Sequence, residues 1–81
     1  MIDILWNSQV LGAMQAHACL TEEEIIVMKD WAAGRSVANT AMMHYMSTSK
    51  VDKIRKRLRK KYDGIQQYLD LPPRQNKKAP S

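Results

Sequence analysis

The sequence predicts a small all-α domain of four to five helices, and three observations predict it. Apolar residues recur at steps of three and four along most of the 81 residues, the spacing that lines one face of a helix. Thr21, Ser36 and Ser47 each stand just ahead of such a stretch, where a side-chain oxygen caps the first free backbone N–H groups. Almost nowhere do apolar and polar residues alternate as a half-buried strand requires. At this length the chain makes one domain near the lower limit of unaided folding, so part of its surface is expected to need a partner.

The first helix is expected over residues 3–18 (DILWNSQVLGAMQAHA), with Leu11 and Met14 on one face, Leu5 nearby, and Gly12 weakening it. Thr21 opens a stronger one. Glu24 follows three residues later, which is a capping box, and the acids Glu22-Glu23-Glu24 complement the positive end of the helix dipole. Ile25, Val27, Met28, Trp31 and Ala32 supply its buried side, and Gly34 fits the position just past its end, where a left-handed residue closes a helix. A third helix runs from the cap Ser36 to about Tyr45. The fourth starts at the cap Ser47 and leaves at Asp63-Gly64, with Ile65 to Leu69 adding a turn or two before Pro72-Pro73. Gly12, Gly34 and Gly64 are isolated and read as punctuation. Met14, Met28, Met42, Met43 and Met46 are expected to fill the core. Residues 1–19 thus form an N-terminal helix, 20–71 the main domain, and 72–81 (PPRQNKKAPS) a disordered basic tail whose Arg74, Lys77 and Lys78 can reach phosphates.

Charge is segregated along the chain. Residues 1–46 carry a balance of −3 and residues 47–81 one of +8, within a net charge of +5. Eight of the twelve residues from Lys50 to Lys61 are Lys or Arg, yet Val51, Ile54, Leu58 and Tyr62 keep helical step. A helix that buries one stripe and shows water so positive a field seeks a polyanion.

Other functions find little support. No apolar run approaches the about 20 residues that span a bilayer, and nothing at the N-terminus reads as an export signal, so the expected location is the cytoplasm, on the nucleoid. The single Cys19 makes no internal disulfide, and His17, Cys19 and His44 lack the spacing of metal ligands. There is no phosphate-cradling Gly-rich loop and no nucleophile–base pattern. The expectation is a protein that is not an enzyme, with no metal, no cofactor, no small-molecule ligand and no membrane partner.

Two short helices joined by a few residues, the second strongly basic, describe a helix-turn-helix without winged elements. Ala41 allows close approach of the two, and Val51 and Ile54 pack the second helix back. The stretch 20–62 carries Leu20-Thr21, Glu24, the apolar pair Val27-Met28, Ala32-Ala33-Gly34, Ala41, Ser47, Val51 and a basic run ending in Lys61. In this it resembles the LuxR/GerE-type DNA-binding domain, and it is also similar to region 4 of bacterial sigma factors. The resemblance implies a transcriptional regulator or sigma-like factor that places its basic helix, about 47–62, in the major groove of double-stranded DNA and has RNA polymerase as a further partner. The pattern usually has an aliphatic residue at Thr40, Leu at His44 and Gly at Tyr45. A Tyr in that turn must adopt positive φ or reshape the turn; His44 is expected to be a half-buried, neutral packing residue.

At ~100° per residue, Ser49, Lys53, Lys56 and Lys60 point away from the apolar stripe, with Lys50, Asp52 and Arg57 on its shoulders. Recognition helices read bases with their N-terminal part, which makes Thr48, Ser49, Asp52, Lys53 and Lys56 the candidate base contacts. Lys50, Arg57, Arg59, Lys60 and Lys61 are the candidate phosphate contacts. Arg55 lies nearer the stripe and is expected to serve the fold, paired with an acid of the second helix such as Glu24. Ile4, Leu5, Trp6, Val10, Leu11 and Met14 make residues 2–18 a candidate homodimer surface. The alternative is an interaction module whose basic helix docks on an acidic protein; a structured-RNA binder is disfavoured because no aromatics are interleaved with the cations.

Overall fold

A computed structural model describes residues 4–67 and 69–71, and every described regular element is helical: α1 (Ser8–His17), α2 (Glu22–Ala32), α3 (Val37–Met43) and α4 (Thr48–Gln66). No strand occurs among the described residues. The expected tail 72–81, with Arg74, Lys77 and Lys78, lies outside them, as do residues 1–3. The chain divides into two compact units. One comprises residues 4–19 together with the described residues from 59 onward; the other comprises residues 20–58. The single helix α4 runs through both.

The 20–58 unit is built on strong helix ends. Thr21 and Glu24 form the expected capping box: Glu24 N donates to Thr21 Oγ1 (3.2 Å) and Thr21 N to Glu24 Oε1 (3.0 Å). This exchange satisfies two N–H groups and gives the buried Glu24 carboxylate hydrogen-bond donation. Ser36 Oγ accepts from Asn39 N (3.1 Å) and Ser47 Oγ from Lys50 N (3.1 Å), so all three expected caps work. α2 packs on α3. Val27, Met28, Ala41, Val51, Ile54 and Leu58 are buried in this unit, each large side chain contributing about 1.5–3 kcal/mol relative to exposure. Ile25, Trp31 and Ala32 are only half-buried.

Two helix ends in this unit close alike. At the end of α2, Arg35 N donates to Asp30 O (3.0 Å) and Gly34 N to Trp31 O (2.9 Å), with Gly34 at φ 90. At the end of α3, Met46 N donates to Ala41 O (2.9 Å) and His44 N to Thr40 O (3.1 Å), with Tyr45 at φ 54. Both reversals need a left-handed residue after the cap. Gly adopts it freely, whereas a Tyr there costs about 1–2 kcal/mol. The turn after α3 therefore keeps the shape that Gly would give and accepts the strain. α3 consequently stops at Met43, short of the expected Tyr45.

Asp30 holds both reversals. Its carboxylate is buried and accepts from Arg35 Nη1 (3.3 Å) and from His44 Nε2 (2.9 Å). A carboxylate only accepts, so the proton of the second bond belongs to the ring. His44 is half-buried as expected, but it is a polar clamp from the turn to the last stretch of α2 rather than apolar filling. Thr40, in place of an aliphatic residue, is fully buried and its Oγ1 finds no hydrogen-bond partner among the described residues.

In the other unit, helix 1 is shorter than expected. Asn7 interrupts the apolar run and caps α1, its Oδ1 accepting from Val10 N (2.8 Å), so residues 4–7 lie outside the helix. Ile4, Val10, Met14, Ala18, Tyr62, Ile65 and Leu71 are buried. Trp6 and Leu11 are half-buried, which leaves Leu5 as the exposed large apolar residue of the expected dimer surface. That surface is thus largely covered by the chain itself. Gly64 does not end α4, which continues to Gln66 and brings Ile65 onto the buried stripe. Nor does Gly12 break α1. The expected turn or two over Ile65 to Leu69 is therefore partly the end of α4 itself, closed by Leu71 N to Gln66 O (3.1 Å) and Gln66 Nε2 to Leu71 O (2.8 Å). Burial, and secondarily the charge of Asp63, raise the Tyr62 phenol above its ordinary value of 10.0.

Candidate nucleic-acid interface

The stripe of α4 that faces inward is the expected one: Val51, Ile54, Leu58 and Tyr62, with Ile65 added. Its opposite face is exposed at Thr48, Ser49, Lys50, Asp52, Lys53, Lys56, Arg57 and Lys60, while Arg55, Arg59 and Lys61 are half-buried. The helix therefore turns every candidate base contact to solvent, and it sorts the cations into two sets.

One set is engaged within the fold. Lys50 Nζ lies 2.7 Å from Glu23 Oε2, joining the start of α4 to the first turn of α2. Both side chains are half exposed, so the pair contributes at most about 1 kcal/mol. Arg55 places its guanidinium 4.6 Å from the Trp31 ring centroid and donates from Nη2 to Arg35 O (2.9 Å). It serves the fold, tying α4 to the reversal after α2. Lys61 Nζ donates to Cys19 O (3.1 Å), and Arg59 also interacts within the chain.

The other set consists of Lys53, Lys56, Arg57 and Lys60. They are exposed and make no ion pair among the described residues. Their spacing of three, four and seven from Lys53 places them in one row along the helix. Of the five candidate phosphate contacts, Arg57 and Lys60 belong to this free row, whereas Lys50, Arg59 and Lys61 do not.

Two features of this region are not legible in the charge pattern. Met42 and Met43, expected in the core, are 69% and 51% exposed at the end of α3. Tyr45 is 96% exposed. A surface aromatic therefore does stand beside the basic helix, though ahead of its cations rather than among them. Its deviation from Gly in the closing position was the signal available in the sequence.

No group of His, Cys, Asp or Glu among the described residues has the arrangement of a metal site, and none of their helices is long and apolar enough to cross a membrane. No family model matches the chain, and neither a curated protein nor a solved structure matches it.

Proposed function

We propose that the chain binds duplex DNA non-covalently through the exposed face of α4, as a transcriptional regulator of the LuxR/GerE or sigma-region-4 kind. The observation that carries this reading is the row Lys53, Lys56, Arg57 and Lys60, four exposed cations without a partner among the described residues on a helix whose other cations are engaged. Unpaired cations at successive turns match the spaced negative charges of a nucleic-acid backbone and release counterions on binding. Thr48, Ser49, Asp52, Lys53 and Lys56 lead the helix and carry donors and acceptors suited to base edges, with Lys reaching guanine and Asp accepting from cytosine. Arg57 and Lys60 grip phosphates. The Lys50–Glu23 pair ties the start of α4 to α2, and the Arg55–Arg35 carbonyl bond ties α4 to the loop after α2. The His44–Asp30 bond ties the turn before α4 to α2, and together these contacts support a defined orientation of the reading residues.

Selection of bound sites from random duplexes, followed by competition with single strands, tests the reading. A recovered motif and a strong duplex preference are expected; equal affinity for single and double strands with no motif would refute it. Within the bound complex, Lys53→Ala should cost about 1–3 kcal/mol and flatten preference locally. Lys60→Ala should weaken all sequences alike.

A second reading, docking on an acidic protein such as RNA polymerase, is favoured by the exposure of Met42 and Met43 beside the basic helix. A tight complex with an acidic protein, together with negligible preference among nucleic acids, would establish it instead.

A further inference from the structure

Tyr45 combines two properties that the fold itself does not use. Its backbone is held left-handed at φ 54, and its side chain is 96% exposed. Two other described non-Gly residues with positive φ, Cys19 and Asp70, have local compensation. Asp70 has the short polar side chain that tolerates this conformation, and the Cys19 carbonyl accepts from Lys61. Tyr45 is bulky, buries almost nothing and enters no hydrogen bond among the described residues, so neither burial nor a hydrogen bond among them offsets its strain. Strain retained where the fold gains nothing points to a use outside it.

The position is also fixed. On one side Met46 N is bound to Ala41 O, and the neighbouring His44 is clamped to Asp30; on the other, Ser47 caps α4. Tyr45 thus stands three residues before Thr48, where α4 and its exposed polar face begin, between residues that are hydrogen-bonded on both sides. Its phenol has few rotatable bonds, a flat apolar body and one O–H donor at the tip. The exposed residues that follow, Ser47, Thr48 and Ser49, are neutral donors, and the first free cation is Lys53. A tyrosine hydroxyl is a recognised donor to backbone phosphates.

We propose that Tyr45 is a phosphate-contacting residue of the DNA interface, donating its phenol O–H to a backbone oxygen of the duplex at the end where α4 begins. This rests on the duplex-binding reading above. It places a neutral donor at the leading end of the contact and the cationic row further along α4. The contact is to the backbone, so it adds affinity equally for every sequence.

The test uses the full chain, two unrelated duplexes and the variants Tyr45→Gly and Tyr45→Phe. Tyr45→Gly relieves the left-handed strain and should raise the thermal midpoint by roughly 4–8 °C, while weakening both duplexes by about tenfold, the ratio for one good contact. Tyr45→Phe should leave the midpoint unchanged and weaken both duplexes nearly as much, because only the hydroxyl is lost. A variant that is more stable yet binds worse separates use in binding from use in folding. A Gly or a Phe variant that binds as tightly as the parent overturns the proposal, as does a loss confined to one of the two sequences. A parent chain that binds neither duplex at low salt overturns the duplex reading and this proposal with it.

Discussion

The ends of α2 and α3 close with the same kind of hydrogen-bonded reversal, but one places Gly34 at the left-handed position and the other Tyr45. At Gly34 the residue matches what the backbone demands. At Tyr45 the backbone takes the same path against the preference of the side chain, and the side chain then stands in solvent. Local sequence and structure agree at the first reversal and conflict at the second. Such conflicts are concentrated where a surface is used rather than merely folded. The α2 end also lies beside Arg55, whose guanidinium is taken up by Trp31 and the Arg35 carbonyl, whereas the α3 end leads into the helix that carries the free cations.

Substitutions at and around the two reversals test this contrast. The largest stability effect is expected at Asp30, whose carboxylate serves both reversals. Asp30→Ala removes the acceptors for Arg35 and His44 and should cost about 2 kcal/mol, read as a lower urea midpoint with unchanged slope. An unaffected midpoint would mean that backbone bonds alone hold the turns.

Next comes Gly34→Ala. A Cβ there meets nothing within 4 Å, so the penalty is conformational alone and should be about 1–2 kcal/mol. If it is free of cost, the left-handed position carries no strain at Tyr45 either. The converse change at position 45 should stabilise.

Smaller still is Thr40→Val, which keeps the shape and removes a buried hydroxyl without a partner; a gain of about 1 kcal/mol is expected. A loss would show that the hydroxyl does find a partner in solution.

The other unit supplies a pH test. Because the folded phenol of Tyr62 titrates above its ordinary value of 10.0, its contribution is complete below that value and is lost as pH rises through the folded value. Stability measured from pH 9 upward should fall more steeply for the parent than for Tyr62→Phe; parallel curves would contradict the burial of the phenol.

Much of this was legible in the sequence, because it depends on neighbours along the chain. The capping box at Thr21 and Glu24, the caps Ser36 and Ser47, the glycine closure at position 34 and the inward stripe of α4 all arise from steps of three to five residues along the chain. What was not legible depends on distant partners or competing terms. Glu23 takes Lys50 from 27 residues away and Asp30 takes His44 from 14, and no local pattern announces either pair. At Gly64 the intrinsic tendency to end a helix loses to the burial of Ile65, which stands three residues after Tyr62 and extends the stripe. At Met42 and Met43 composition suggested core, but α3 turns those positions to water and buries Thr40 and Ala41 instead. The candidate site was legible as a charged helix; its division into engaged and free cations required the tertiary contacts.

The central claim is that the free row on α4, and not the chain's charge in general, meets a polyanionic backbone. Duplex affinity measured across a series of salt concentrations tests it most directly, with the parent compared against a chain carrying Lys53→Gln, Lys56→Gln, Arg57→Gln and Lys60→Gln. The parent should give a log–log slope of roughly −3 to −4, about 0.9 per cation of the row, and the substituted chain should lose most of that slope while folding normally. A parent slope shallower than about −2, or equal slopes for the two chains, would contradict the account.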